Sequence, residues 1–247
     1  MPTDEATLSP LRTATLVAPI IDRLRFAVSN RIRATTASLA GEAGLTELGT
    51  RVLTTLRNTL PDREVTLDHI RAVFRYQPED RLQASVAEAL GAGVIEATAT
   101  GYRLAAGGQK LATMLLEATD AAAQELWPTR PDRIAALSAT ASRVMDAAEA
   151  TAGPGYRMVA PPYLPGSVSP AYVLVERVTA LRWYRFDAHV AAWEAAGFTP
   201  ETIRAITDGP EREAVEAETN RRAAPPYAAL SPDERLDLIA GLGALTG

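Results

Sequence analysis

The segment from residue 45 to residue 117 constrains the fold most strongly, because its elements follow one distinctive order. Apolar spacing predicts a helix over 46–60, a second over 66–76 and a third over 78–91. Two short β-capable runs then lie within 92–104 around a polar turn, and a further helix restarts after a pair of glycines. This order predicts a compact module of three helices and a β-hairpin.

The predicted helix ends carry residues suited to those positions. Thr46 and Thr66 can cap the first two helices, since a threonine hydroxyl accepts an unpaired backbone N–H. Pro78 suits the first turn of the third helix, where no N–H is needed. The pattern is that of a winged helix-turn-helix. Its predicted core contains apolar residues from all three helices: Leu53, Leu56, Ile70, Val73, Phe74, Leu82, Val86 and Leu90.

Composition limits the kinds of protein that the chain can be. It has 247 residues, 47% of them hydrophobic, and a formal net charge of −5, which disfavours indiscriminate binding to nucleic acid or to anionic lipid. No cysteine is present, so disulfides, thiol catalysis and cysteine metal sites are excluded. No run approaches about 18 apolar residues, and the acidic start lacks the order of a signal peptide. We therefore expect a mainly α, cytoplasmic protein that does not enter a membrane.

The segment before the module, residues 1–44, is predicted to contain a loose tail over 1–10 and an amphipathic helix over 13–38. Pro19 lies inside this helix, which either starts there or is kinked there. A leading helix of this kind is either a dimer element or a cover for the core of its own chain.

The remainder divides into a connection over 118–170 and a C-terminal helical domain over 171–247. The connection ends in a stretch rich in proline, 153–170, which we predict to be an ordered loop that wraps a surface or covers a pocket. In the C-terminal domain, apolar spacing predicts a long helix over 172–196. Ser231 begins a run with the signature of a capping box, which predicts the start of a last helix.

A winged helix-turn-helix contacts DNA through its third helix and its hairpin. The side chains suited to phosphates or base edges here are Arg71, Arg75, Arg81, Gln83, Ser85 and Arg103. Between residues 45 and 117, however, eight basic side chains stand against nine acidic ones. Two hypotheses stay open at this point: a DNA-binding module, or a winged helix that serves as a scaffold or a dimer platform.

One C-terminal helix concentrates aromatic and polar side chains within 179–193. At about 100° per residue, Arg182, Phe186, His189 and Trp193 share one face, while Asp187 lies on another. A cavity lined by aromatic and a few polar groups is typical of a small-molecule site. Its candidate residues are Arg182, Trp183, Phe186, His189, Trp193, Glu218, Asn220 and Tyr163. The alternative is structural, with the arginines and Asp187 tying helices together and His189 half-buried.

Other kinds of site are disfavoured. The two histidines, His69 and His189, have no acidic residue at ligand spacing, so we expect no metal. No glycine-rich phosphate loop and no serine nucleophile elbow is present. We therefore expect no cofactor.

Two parts of the chain resemble known families. The segment from Leu45 to Leu116, with Gly101-Tyr102-Arg103-Leu104 as its wing, resembles the MarR-type winged-helix regulators of bacteria, which are usually dimers. The run from Leu181 to Gly197, together with Glu216–Asn220, resembles the SalK-like helical proteins of actinobacteria, some of them encoded in natural-product gene clusters. The second resemblance implies a largely helical chain of this size and no settled chemistry.

These observations favour a ligand-responsive, MarR-like transcriptional regulator, in which the winged helix contacts duplex DNA and the C-terminal helices bind a small aromatic or polyketide-like molecule. We expect it to be a homodimer. The alternative is a metal-free and cofactor-free enzyme of secondary metabolism on a winged-helix scaffold, with His189 or Asp187 as the acid–base group. A protein-interaction module is a third hypothesis.

Overall fold

The structure, a computed structural model, describes residues 8–60, 63–128 and 130–246. These ranges contain twelve α-helices and one two-stranded antiparallel sheet, so the predicted mainly helical fold is confirmed. Residues 1–7 of the predicted tail lie outside the described residues. In chain order the elements are α1 (Pro10–Arg31), α2 (Arg33–Glu42), α3 (Glu47–Leu56), α4 (Leu67–Val73), α5 (Glu79–Gly91), β1 (Ile95–Ala97), β2 (Tyr102–Leu104), α6 (Ala106–Leu126), α7 (Pro131–Ala148), α8 (Pro154–Val159), α9 (Pro170–Ala195), α10 (Pro200–Ala205), α11 (Pro210–Ala223) and α12 (Pro232–Gly243).

The leading segment forms two helices where the sequence predicted one. Ser9 caps α1, since its hydroxyl accepts the backbone N–H of Arg12 at 3.2 Å. Pro19 lies within α1 and does not end it. Ile32, at φ −89° and ψ 2°, leaves the helical conformation and separates α1 from α2. The predicted single helix over 13–38 is therefore corrected, with the break at Ile32.

The central module, residues 47–104, contains α3, α4, α5 and the hairpin. α3 packs against α5, and α5 packs against β1. In the hairpin Ile95 stands opposite Leu104. Val65 joins this sheet from the segment before α4, because its N–H and its carbonyl each pair with the backbone of Tyr102 at 2.8 Å. Of the predicted core residues, seven are buried and Leu90 is 36% exposed, since α5 turns Ala89 inward instead.

α9 is the central helix of the second half of the chain. α7, α8 and α11 pack along it, and so do α1 and α6 from the first half. One large buried cluster extends from Ala14 in α1 to Leu242 in α12. The predicted capping box at Ser231 is present and starts α12. None of the described helices combines the length and the apolar character that a membrane crossing requires.

The proline-rich stretch 153–170 contributes to the core. It contains α8, whose residues Tyr156, Met158 and Val159 are buried, and α8 packs against both α4 and α9. The hydroxyl of Tyr156 donates a hydrogen bond to the carbonyl of Met145 at 2.9 Å. The stretch that the sequence predicted as an ordered loop is therefore partly helical, because its apolar side chains in α8 are buried between α4 and α9.

Gly101 tests the link between Val65 and the hairpin. A Cβ atom at Gly101 would lie 2.1 Å from the carbonyl oxygen of Val65. We expect Gly101→Ala to lower the free energy of unfolding by about 1–3 kcal/mol, since relief of this overlap requires the backbone at Val65 to move. Urea unfolding followed by circular dichroism measures the change.

Gly91→Ala is the matched control, because a Cβ atom at Gly91 meets no atom within 4 Å. This substitution should raise the free energy of unfolding by up to about 1 kcal/mol, since alanine favours the helix over glycine. Equal effects of the two substitutions would contradict the proposed link through Val65.

Candidate functional site

Two cavities lie against α1, and the first of them is formed by the predicted face of α9. We call it the α9 cavity. It measures about 540 Å³ and lies between α1, α9 and α11. Arg182, Phe186 and His189 line it together with Asp22 and Glu216. The structure thus brings together three of the residues that the sequence predicted as ligand-binding.

The charged groups of the α9 cavity are largely paired with one another. Arg182 Nε lies 2.6 Å from Asp22 Oδ1, and Arg185 forms an ion pair with Glu216. His189 Nδ1 lies 3.1 Å from the hydroxyl oxygen of Thr219. Burial lowers the pKa of His189 below its ordinary value, although the nearby Glu216 acts in the opposite direction. The ring is therefore mainly neutral at pH 7. Across the described ranges, no group of three or more His, Asp or Glu side chains is arranged to hold a metal ion.

The remaining predicted ligand residues lie outside the α9 cavity. Trp193 is 2% exposed and donates its indole N–H to the hydroxyl of Tyr76 at 3.2 Å, because a second apolar cluster covers this end of α9. Trp183 packs edge-on against Phe186, with 5.0 Å between ring centroids.

Three further ligand candidates have other surroundings as well. Glu218 pairs with Arg221 and Arg222 on the surface of α11. Asn220 is buried, and its Oδ1 has no hydrogen-bond partner among the described residues. Tyr163 packs, half-buried, against the main core.

Asp187 holds the start of α8 in place. Its carboxylate accepts the backbone N–H groups of Gly155 at 3.1 Å and of Tyr156 at 2.8 Å, and Arg75 Nη2 lies 3.8 Å away. Burial raises the pKa of Asp187 above its ordinary value, and the two N–H groups and Arg75 offset only part of this rise. Because Asp187 faces α8 and His189 faces α11, the two predicted acid–base residues do not meet. The structure assigns Asp187 to capping.

The six DNA-contact candidates divide into two groups. Arg81 and Gln83 are exposed on α5. Arg71 pairs with Asp68 and Glu79, and Arg103 pairs with Glu96, all at the surface. Ser85 and Arg75 have other surroundings.

Ser85 and Arg75 are directed into the molecule. Ser85 is 4% exposed, and its hydroxyl donates to the carbonyl of Arg81 at 2.9 Å. Arg75 stacks over the ring of Phe186, 5.4 Å from its centroid, beside Asp187. A base edge or a phosphate cannot reach either side chain while these contacts hold.

The second cavity was not predicted from the sequence. It measures about 500 Å³ and lies between α1, α2, α3, α6 and α9. We call it the arginine cavity, because four arginines but only one carboxylate, that of Glu47, are among the described residues that line it. The arginines are Arg25, Arg33, Arg51 and Arg57. The rest of the lining is mainly small or apolar and includes Val28, Ile32, Ala40, Leu45, Thr54, Val175 and Thr179.

Three of these four arginines have a carboxylate, an aromatic ring or a side-chain amide as a partner among the described residues. Arg57 lies 2.6 Å from Glu176, whose side chain is 0% exposed, and it also donates to the hydroxyl of Thr119. Arg51 stacks over the ring of Phe74, 5.5 Å from its centroid. Arg33 donates to the side-chain oxygen of Asn30.

Arg25 is the exception. Its guanidinium donates to the hydroxyl of Ser29 at 3.0 Å, and no carboxylate in the described part of the chain lies within 4.0 Å of it. The acidic groups that act on it from further away, Glu176 and Asp22, are already paired with Arg57 and Arg182. Burial lowers the pKa of Arg25 to about 10, which still leaves it charged at pH 7. The cavity therefore contains a half-buried positive charge without a partner of opposite sign.

Asp187→Ala tests whether Asp187 caps α8. The substitution leaves two buried N–H groups without an acceptor, so the free energy of unfolding should fall by about 2–3 kcal/mol. Glu194→Ala is the matched control, since Glu194 is the other carboxylate near Arg75 and its side chain is 59% exposed. Its removal should cost less than about 0.5 kcal/mol. Chemical denaturation of both variants checks this, and equal costs would contradict the capping role.

The ring of His189 should titrate below 6.5, its ordinary pKa, because burial disfavours the charged form. The unfolded chain then binds a proton more readily than the folded one, so the folded state loses stability as the pH falls below about 6.5. Proton NMR of the histidine rings measures the pKa, and His189→Gln assigns the signal, since the chain has two histidines. A value at or above 6.5 would show that Glu216 outweighs burial.

Comparisons with protein-family models, with curated proteins and with solved structures gave no match for this chain. The resemblances to MarR-type and SalK-like proteins therefore stay expectations.

Proposed function

We propose that the chain is a ligand-responsive regulator in which residues 47–104 form a winged helix that contacts DNA and a small molecule binds in the arginine cavity. The order of elements supports the first part. Three helices are followed by a hairpin, and Val65 forms an isolated antiparallel bridge to Tyr102 at its side. In winged helices of this order the third helix, here α5, enters the major groove.

The surface of α5 can make such contacts. Arg81 and Gln83 are exposed in its first two turns, the part of the helix that approaches base edges. Glu79 would repel phosphate by itself, but Arg71 and Gln83 both donate to its carboxylate. The remaining basic contact is Arg103 on β2 of the hairpin.

One observation carries the proposal: the arginine cavity lies directly against the helix that supports α5. Its walls include Val28 and Ile32 from the leading segment and Thr50 and Thr54 from α3. Because α3 packs against α5, a ligand that touches both walls favours one position of α5 over others. Binding in the cavity and binding to DNA are then coupled, and each changes the affinity of the other by the same factor.

The proposal moves the small-molecule site from its predicted place. The sequence pointed to the α9 cavity, whose arginines are paired with Asp22 and Glu216. The arginine cavity offers an unpaired charge and a wall on the winged helix, which the α9 cavity does not have among its described lining residues. The homodimer stays a prediction, and α1 leaves Leu11, Leu16 and Phe26 exposed as apolar surface for a second copy.

Binding to DNA from the promoter of the chain's own gene tests the regulator. Fluorescence anisotropy at low and at physiological salt should show binding that survives the higher salt for this sequence and not for unrelated DNA. Arg81→Ala should weaken specific binding by about 1–3 kcal/mol if Arg81 contacts a base.

Arg221→Ala is the matched control, since Arg221 is an exposed arginine on α11 that pairs with Glu218. Its DNA affinity should equal that of the wild type. Binding that does not distinguish the promoter from unrelated DNA would contradict the regulator, and an unchanged affinity of Arg81→Ala would remove α5 as the helix that contacts bases.

A further inference from the structure

Building on the proposed function, we infer that the arginine cavity binds an organic monoanion, a carboxylate on an apolar body, and that Arg25 binds the carboxylate. This names the chemical class of the effector. The inference depends on the placement of charges and apolar side chains around the cavity.

The first step is the charge of Arg25. A cation that has lost part of its hydration and has no acidic partner is costly, and the cost disappears when an anion pairs with it. The one protein group bound to its guanidinium among the described residues is the hydroxyl of Ser29, so donors remain free for a ligand. A carboxylate matches the fork of a guanidinium with two parallel hydrogen bonds.

The second step is the number of charges that the cavity can accept. Arg57, the other half-buried arginine of the cavity, is already neutralised by Glu176 at 2.6 Å. Glu47 lies on the cavity lining and would repel a second negative group. Arg33 and Arg51 are exposed to solvent, so Arg25 is the one half-buried cation of the described lining without an acidic partner, and a single carboxylate suffices to pair with it.

The third step is the shape and polarity of the rest of the cavity. A volume of about 500 Å³ falls within the range of small-molecule sites, about 300–1,000 Å³. Val28, Ile32, Leu45 and Val175 supply apolar contact for the body of the ligand. The hydroxyl groups that can donate or accept hydrogen bonds along the wall belong to Thr36, Thr50, Thr54 and Thr179.

Access is also suited to an anion. Arg33 and Arg51 are exposed residues on the lining, so their charges face the solvent from which the ligand enters. In a chain of net charge −5, this surface concentrates positive potential in one place. Such a positive cleft raises the local concentration of anions and their rate of association.

Octanoate and octanamide test the inference, since they share an apolar chain and differ in charge. Isothermal titration calorimetry on the full chain, without DNA, measures the dissociation constant of each. The wild type should bind octanoate at least about tenfold more tightly than octanamide, because a charge-assisted hydrogen bond is stronger than a neutral one. Equal affinities, or no saturable binding of octanoate, would overturn the inference.

Arg25→Gln locates the site. It should weaken octanoate binding by about tenfold or more and leave octanamide binding within about twofold, since only the carboxylate loses its partner. Arg185→Gln is the matched control in the α9 cavity, where Arg185 pairs with Glu216. If octanoate affinity falls with Arg185→Gln and not with Arg25→Gln, the anion binds in the α9 cavity and the inference is wrong.

Thermal unfolding excludes a folding defect as the cause. Because Arg25→Gln removes a half-buried charge without an acidic partner, its ligand-free melting temperature should equal or exceed that of the wild type.

Thr54→Phe adds a second test, since a phenyl group on this wall occupies the cavity and should abolish binding of both probes. Binding that survives both substitutions would overturn the inference.

The outcome separates this inference from the proposed function. Octanoate binding that depends on Arg25 establishes the anion site even if the chain never binds DNA. If the chain binds DNA specifically but its affinity for the anion does not depend on Arg25, the proposed regulator stands and the proposed anion site is wrong.

Discussion

The buried ion pair between Arg57 and Glu176 joins the two halves of the chain, and the arrangement around it follows from that contact. Arg57 follows the end of α3, Thr119 lies on α6 and Glu176 lies on α9, so the three side chains fix three helices at one point. The Glu176 side chain is 0% exposed, and both Arg57 Nε and Glu176 Oε2 lack a hydrogen-bond partner among the described residues. A pair in such surroundings must stay intact, because separating it would leave a buried charge alone.

This ion pair also determines which charged side chain near α1 is left without an acidic partner. Glu176 is committed to Arg57, and Asp22 is committed to Arg182 on the other side of α1. Arg25 lies between these two pairs and receives only partial compensation from either. The α9 cavity and the arginine cavity thus share α1 as a wall but differ in electrostatics. One has charges that largely cancel, and the other has a cation that a ligand can neutralise.

Local signals in the sequence predicted the helices and their ends. The burial of individual side chains and the position of the cavities depend on tertiary contacts, which these signals do not contain. Caps at Thr46, Thr66 and Ser231 were confirmed, because a hydroxyl three residues before a free N–H acts locally. The burial of Ser85 and the exposure of Leu90 depend instead on how α5 is rotated against its neighbours. The arginine cavity was missed for the same reason: its lining combines the consecutive helices α1, α2 and α3 with the distant α6 and α9, and no single spacing marks it.

The charge of Arg25 also bears on how the proposed ligand would act on the winged helix. If the arginine cavity is the effector site, then without an anion the Arg25 guanidinium has the Ser29 hydroxyl and water as partners, so arrangements that expose it to solvent gain in free energy. Under the same proposal, a bound carboxylate favours arrangements in which the cavity encloses it, and the cavity wall formed by α3 also packs against α5. The size of the effect on DNA is limited by the difference in ligand affinity between these arrangements, so an effector that neutralises Arg25 without touching α3 would bind and yet leave DNA affinity unchanged.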